Sequence, residues 1–167
     1  MAGFLNIYGI CCAVATSAAL VLGYLVHYGL AKIETHVVVG VLAPLASILG
    51  LCILMFYFIA TGTAVRDVAK AGLIAVEKYA ETRMFKSRLF PLIMVAIVFL
   101  MLTPITGAAF GANKLPLFVH TLAGWGAVAV YIFTVVKGIN FLWLNMLVLN
   151  EASEASGQVK KKEEKSG

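Results

Sequence analysis

The sequence predicts an all-α membrane protein, a four-transmembrane-helix bundle, from three observations. Of its 167 residues 62% are apolar and only 13% charged, and the mean hydropathy is +0.97, outside the range of a water-soluble domain. Four apolar runs, at 5–26, 37–61, 89–110 and 117–136, each reach the roughly 20 residues that cross a bilayer. The charged residues fall almost entirely between and after those runs.

The first run, LNIYGICCAVATSAALVLGYLV, follows a start with no basic residue and is as long as a span. It is therefore expected to stay in the membrane rather than be cleaved as a signal peptide. Cys11 and Cys12 lie inside it and Cys52 inside the second run, without metal-ligand spacing, so the thiols read as small packing groups. The connection 27–36 carries only Lys32 and Glu34, and the connection 111–116 only Lys114.

The loop between the second and third spans contrasts with these. It holds Arg66, Lys70, Lys78, Arg83, Lys86 and Arg88, and the tail adds Lys160, Lys161, Lys162 and Lys165, ten of the thirteen basic residues. By the positive-inside rule that side is cytoplasmic, which predicts cytoplasmic N and C termini. Within the loop, Val65, Val68, Gly72, Val76, Tyr79 and Arg83 recur at three- and four-residue steps, so 64–86 is expected to form a cytoplasmic amphipathic helix. Such a helix would extend the second span, lie on the membrane surface, or dock anionic lipid or a soluble partner.

After the fourth run, 137–149 is expected to continue the helix, with Trp143 as an interfacial anchor and Lys137 snorkelling toward the headgroups. Residues 1–150 thus form the transmembrane domain. The polar tail 151–167 (EASEASGQVKKKEEKSG) is expected to be disordered, having too little apolar surface to fold.

This distribution excludes several chemistries. All eight acids (Glu34, Asp67, Glu77, Glu81, Glu151, Glu154, Glu163, Glu164) lie outside the spans, so the intramembrane carboxylates of pumps and ion-coupled carriers are missing. No nucleophile stands beside a base, no phosphate loop or carboxylate pair is present, and the tail lysines are too mixed with glutamates to mark a nucleic-acid binder. Thr16, Ser17, Ser47, Thr103, Thr106, Thr121 and Thr134 are expected to bond back to their own helices. Pro44 and Pro104 are expected to kink theirs and release a carbonyl.

The chain also carries an internal echo. At an offset of 84 residues His36 pairs with His120, Gly40 with Gly124 and Gly23 with Gly107, so that HVVVG opens the second span and HTLAG the fourth. An echo of this kind predicts two hairpins in the same orientation, related by a pseudo-two-fold axis along the membrane normal, with both imidazoles at one depth. Glycine one turn below each histidine leaves room for a flat ligand, the arrangement a b-type haem needs between two axial histidines. The competing readings are an interfacial histidine pair that merely packs, and a histidine-only metal site with His27 as a third ligand beside His36 and His120. His27 faces Gly111, not a histidine, at the same offset.

The stretch 36–67, with a histidine opening the span followed by MFYFIATG and Arg66, resembles small uncharacterised four-span membrane proteins of bacteria. The basic run 83–91 and the Leu-Pro before His120 are similar too. The resemblance implies an inner-membrane location and no particular chemistry. Three functions are then expected in order. The first is a non-enzymatic membrane subunit or scaffold that associates with itself or with other membrane subunits through glycine-lined faces. The second is a quinone-linked b-type haem electron-transfer subunit with His36 and His120 as axial ligands, and the third a small transporter or channel.

Overall fold

Four long helices make up the computed structural model of the protein, which describes residues 1–166, with side chains described through 158. They are α1 (Ala2–His27), α2 (Ile33–Lys70), α3 (Val76–Gly111) and α4 (Leu117–Ser166). All four are long and apolar enough to cross a membrane. On α1 the side chains of Phe4, Ile7, Val14 and Val21 are exposed, an apolar surface that suits a lipid bilayer.

Why the helices end where they do is readable residue by residue. After α1, Gly29 adopts φ 74°, its N–H reaches the Val26 carbonyl and that of Leu30 reaches Leu25. This double bond pattern is a Schellman cap, and glycine tolerates the left-handed φ it requires. The same pattern closes α2 at Gly72 (φ 73°) and α3 at Asn113 (φ 55°), asparagine being the other residue that enters this region readily.

The cap at Gly72 corrects the expectation of one amphipathic helix over 64–86. Ala71–Ala75 is a turn, so the segment is divided between the end of α2 and the start of α3. The 38 residues of α2 give a length of about 57 Å, nearly twice the roughly 30 Å of a hydrocarbon core. At the basic end α2, α3 and α4 thus run on beyond the start of the shorter α1.

In the structure α4 continues through the tail to Ser166. Ala152 is buried with Val65 and Val148, Glu151 meets the Lys78 ammonium at 3.0 Å, and Ser156 donates to the Ala152 carbonyl. Extending an existing helix requires no new nucleus, and these contacts favour the extension. The side chains of 159–166, including the tail lysines, and Gly167 lie outside the described residues.

The bundle is a ring in which α1 touches α2 and α4, and α3 touches α2 and α4. Across the diagonals α2 meets α4, while α1 and α3 make no contact among the described residues. The main core runs through Phe58, Leu89, Ile93, Leu100, Tyr131 and Leu142. Lys137 lies on the outer surface of α4, its ammonium 5.6 Å from the centre of the Phe133 ring.

Candidate functional site: a facing histidine pair

His36 and His120 sit one turn into α2 and α4, close to the tight turns 28–32 and 112–116. Their ring centroids are 6.1 Å apart with an interplanar angle of 71°. The two imidazoles thus meet edge-on across the α2–α4 diagonal from opposite halves of the sequence.

Each ring is held by the helix that precedes its own. His36 Nδ1 lies 3.2 Å from the Ala19 carbonyl oxygen on α1. A carbonyl can only accept, so Nδ1 carries the hydrogen and donates it, and Nε2 keeps the lone pair. His120 Nδ1 lies 3.2 Å from Thr106 Oγ1 on α3. The single hydroxyl hydrogen of Thr106 is directed to the Leu102 carbonyl at 2.7 Å, with Thr103 at 3.1 Å. Its oxygen therefore accepts from His120, and here too Nε2 is left with the lone pair. An Nδ1–H pinned to a main-chain or side-chain oxygen is the usual setting of a metal-ligating imidazole.

Glycine makes this tethering sterically feasible, at positions the sequence reading only half identified. A Cβ on Gly23 would stand 3.0 Å from His36 Cε1, and one on Gly107 would stand 3.0 Å from His120 Cε1. The glycines that abut the rings are thus on α1 and α3, across each hairpin. Gly40, one turn below His36, has only the His36 ring within reach at 3.9 Å, whereas the space at Gly124 is taken by the Leu20 Cδ1 methyl at 3.0 Å.

Pro44 has no N–H, so the Gly40 carbonyl, one turn from His36, loses its regular helix partner. In α3 Pro104 does the same to Leu100, whose carbonyl instead accepts the Thr103 hydroxyl at 2.8 Å. Thr16, Ser17, Ser47, Thr121 and Thr134 also bond to carbonyls of their own helices. Thr16 and Ser47 meet each other as well, at 3.1 Å, between α1 and α2.

His27 does not join the pair. It is exposed at the end of α1 against the edge of Tyr28, and no group of three His, Cys, Asp or Glu side chains fit to hold a metal occurs among the described residues.

Two further residue pairs meet along the same diagonal at the same spacing. Leu54 Cδ2 would lie 3.3 Å from a Cβ on Gly138. Asn145 Nδ2 donates to Thr61 Oγ1 at 3.0 Å across a sequence separation of 84. Asn145 is fully buried, and its Oδ1 has no partner among the described residues.

The centroid separation of the two rings can be compared with that of two imidazoles sharing one ion. Two metal–imidazole bonds of about 2 Å on opposite sides of an ion, with roughly 1.1 Å from nitrogen to ring centre, require centroids roughly 6.3 Å apart. The observed centroid separation of 6.1 Å is close to that value. No family model, curated protein or solved structure matches the chain, so the chemistry of this site is argued from its own geometry.

Proposed function

We propose that this chain is a membrane electron carrier that holds one b-type haem between His36 and His120. The observation that carries the proposal is the 6.1 Å separation of two imidazoles whose Nδ1 hydrogens are both committed elsewhere. His36 and His120 would both hold the iron, and the group would then supply electron transfer in place of oxygen or substrate binding. The chemistry available is then a one-electron exchange between ferric and ferrous iron. A lipid-soluble quinol is the proposed reductant, releasing one electron and one proton per step.

A parallel pair of hairpins supports the same reading. On a two-fold axis, equivalent residues meet each other, and the chain places His36 with His120, Leu54 with Gly138, and Thr61 with Asn145, all 84 positions apart. The turns obey the same offset, since Gly29 and Asn113 are the left-handed residues that end α1 and α3. A pseudo-two-fold axis that runs between α2 and α4, along the membrane normal, would put one ligand on each side of a single flat group. With the basic end cytoplasmic in the inner membrane, the haem lies toward the outer leaflet.

A carrier with no substrate chemistry of its own needs a partner redox centre, so the subunit role expected from the sequence is part of this proposal. The test is a reduced-minus-oxidised spectrum of the full chain, purified in detergent after expression with haem precursor. A sharp α band that is present in wild type and His27→Ala, and lost in His36→Ala and in His120→Ala, is the expected result. A wild-type protein that stays colourless and takes up no added haemin sinks the haem and leaves the cofactor-free scaffold.

A further inference from the structure

The two halves of the site are not chemically equal. His36 donates to a main-chain carbonyl, that of Ala19. At the offset of 84, Ala19 corresponds to Thr103, whose carbonyl also lies beside His120. His120 has in addition a side-chain acceptor, Thr106 Oγ1 at 3.2 Å. The position corresponding to Thr106 in the first half is Leu22, which can accept nothing. Thr106 itself is buried and is fixed in orientation because its hydrogen points at Leu102 and Thr103.

We propose that Thr106 is the positioning residue of His120 and makes the two axial ligands of the haem inequivalent. It rests on the haem reading above and extends it to a residue that touches neither iron nor porphyrin. A buried hydroxyl committed as an acceptor holds the Nδ1–H tautomer and fixes the ring's rotation about χ2. An acceptor on Nδ1–H also makes the imidazole more basic toward the metal, which favours ferric over ferrous iron. Since Leu22 offers no such group, this control acts on one ligand only.

The experiment compares wild type, Thr106→Val and Thr106→Ser as full chains with haem bound, by redox titration and low-temperature electron paramagnetic resonance of the oxidised form. Valine keeps the volume and removes the acceptor, whereas serine keeps the hydroxyl. The expected result is that Thr106→Val retains haem with a potential raised by about threefold in the Fe³⁺/Fe²⁺ equilibrium, close to 30 mV for one electron, and with altered g values. Thr106→Ser should stay near wild type. Loss of haem in the valine variant alone, with its melting temperature unchanged, supports the positioning role equally.

Potentials and g values identical in wild type and Thr106→Val overturn the proposal while leaving the haem in place. So does an equal loss of haem and melting temperature in both variants, which marks a packing role. A colourless wild type defeats the underlying haem reading, a result distinguishable from either.

Discussion

Replacing Gly23 or Gly107 by alanine should disturb the site without unfolding the protein. In either variant the new methyl stands 3.0 Å from the Cε1 of a histidine on the neighbouring helix, whereas carbon–carbon contacts are most favourable at about 3.5–4.0 Å. The imidazole must retreat by roughly 0.5 Å, which takes the His36 Nδ1 bond, now 3.2 Å from Ala19, beyond ordinary hydrogen-bond reach. A lost bond of this kind costs about 0.5–1.5 kcal/mol. Alanine's better helix propensity returns up to about 1 kcal/mol, so global stability should change by less than about 1 kcal/mol.

The ligand has no such compensation. A loss of about 1.4 kcal/mol in ligation is tenfold in haem affinity, and a ring turned off its tether loses at least that order. The assay is the haem-to-protein absorbance ratio of the single and double variants at limiting haemin, beside melting in detergent. Gly111→Ala, with nothing within 4 Å, is the control. Both singles should lose affinity about tenfold at near-constant melting temperature, and the control should lose none. Full occupancy with an unaltered spectrum in the double variant would refute the idea that these glycines set the ring positions.

Gly50→Ala should be markedly less stable, by about 1–3 kcal/mol, because its Cβ would meet Tyr8 Cε1 at 2.5 Å and displace the phenol that donates to the Ala46 carbonyl; thermal unfolding in detergent, with Tyr8→Phe measuring the hydrogen bond alone, checks it. Asn145→Leu should change stability by less than about 1 kcal/mol, since it gives up one hydrogen bond worth about 0.5–1.5 kcal/mol and also removes an orphan acceptor. Unfolding of Asn145→Leu several kcal/mol easier than wild type would show that the amide does more than pair with Thr61. The hydrogen bond from Lys78 to Glu151, then the charges of Glu151 and Glu81, raises the Lys78 ammonium above its ordinary value. A raised lysine stabilises fully below the unfolded value of about 10.4 and loses that contribution as pH climbs through the folded one. A spin label at Ser156 should therefore keep its mobility from neutral pH to about 10 and loosen above it, while Glu151→Gln should be loose throughout.

Much of the membrane architecture was legible because hydropathy measures length against a bilayer. The offset pairing His36 with His120 was also visible, and so was the back-bonding of the span hydroxyls, a property of side-chain length on a helix. The division of 64–86 was signalled by Gly72, yet its three- and four-residue steps continue across the turn and imitate one helix. The tail looked too polar to fold by itself, and its helix depends on Val65 and Lys78, far away in sequence. Gly23 and Gly107 were noticed as an echo without their target, because nothing local says which neighbour a glycine faces.

By itself the amino-acid order determined how many helices are long and apolar enough to cross, where glycine or asparagine lets the chain turn, and that two histidines recur at matching places. Those are consequences of local chemistry, namely the transfer of apolar side chains out of water and the φ values that each residue tolerates. The tertiary structure decided which faces meet. Spans that are apolar on every side carry no periodic signal to orient them, so rotation about each helix axis comes only from packing all four together. That rotation turned His36 toward His120, put Thr106 behind one ring and Ala19 behind the other, and left His27 outside.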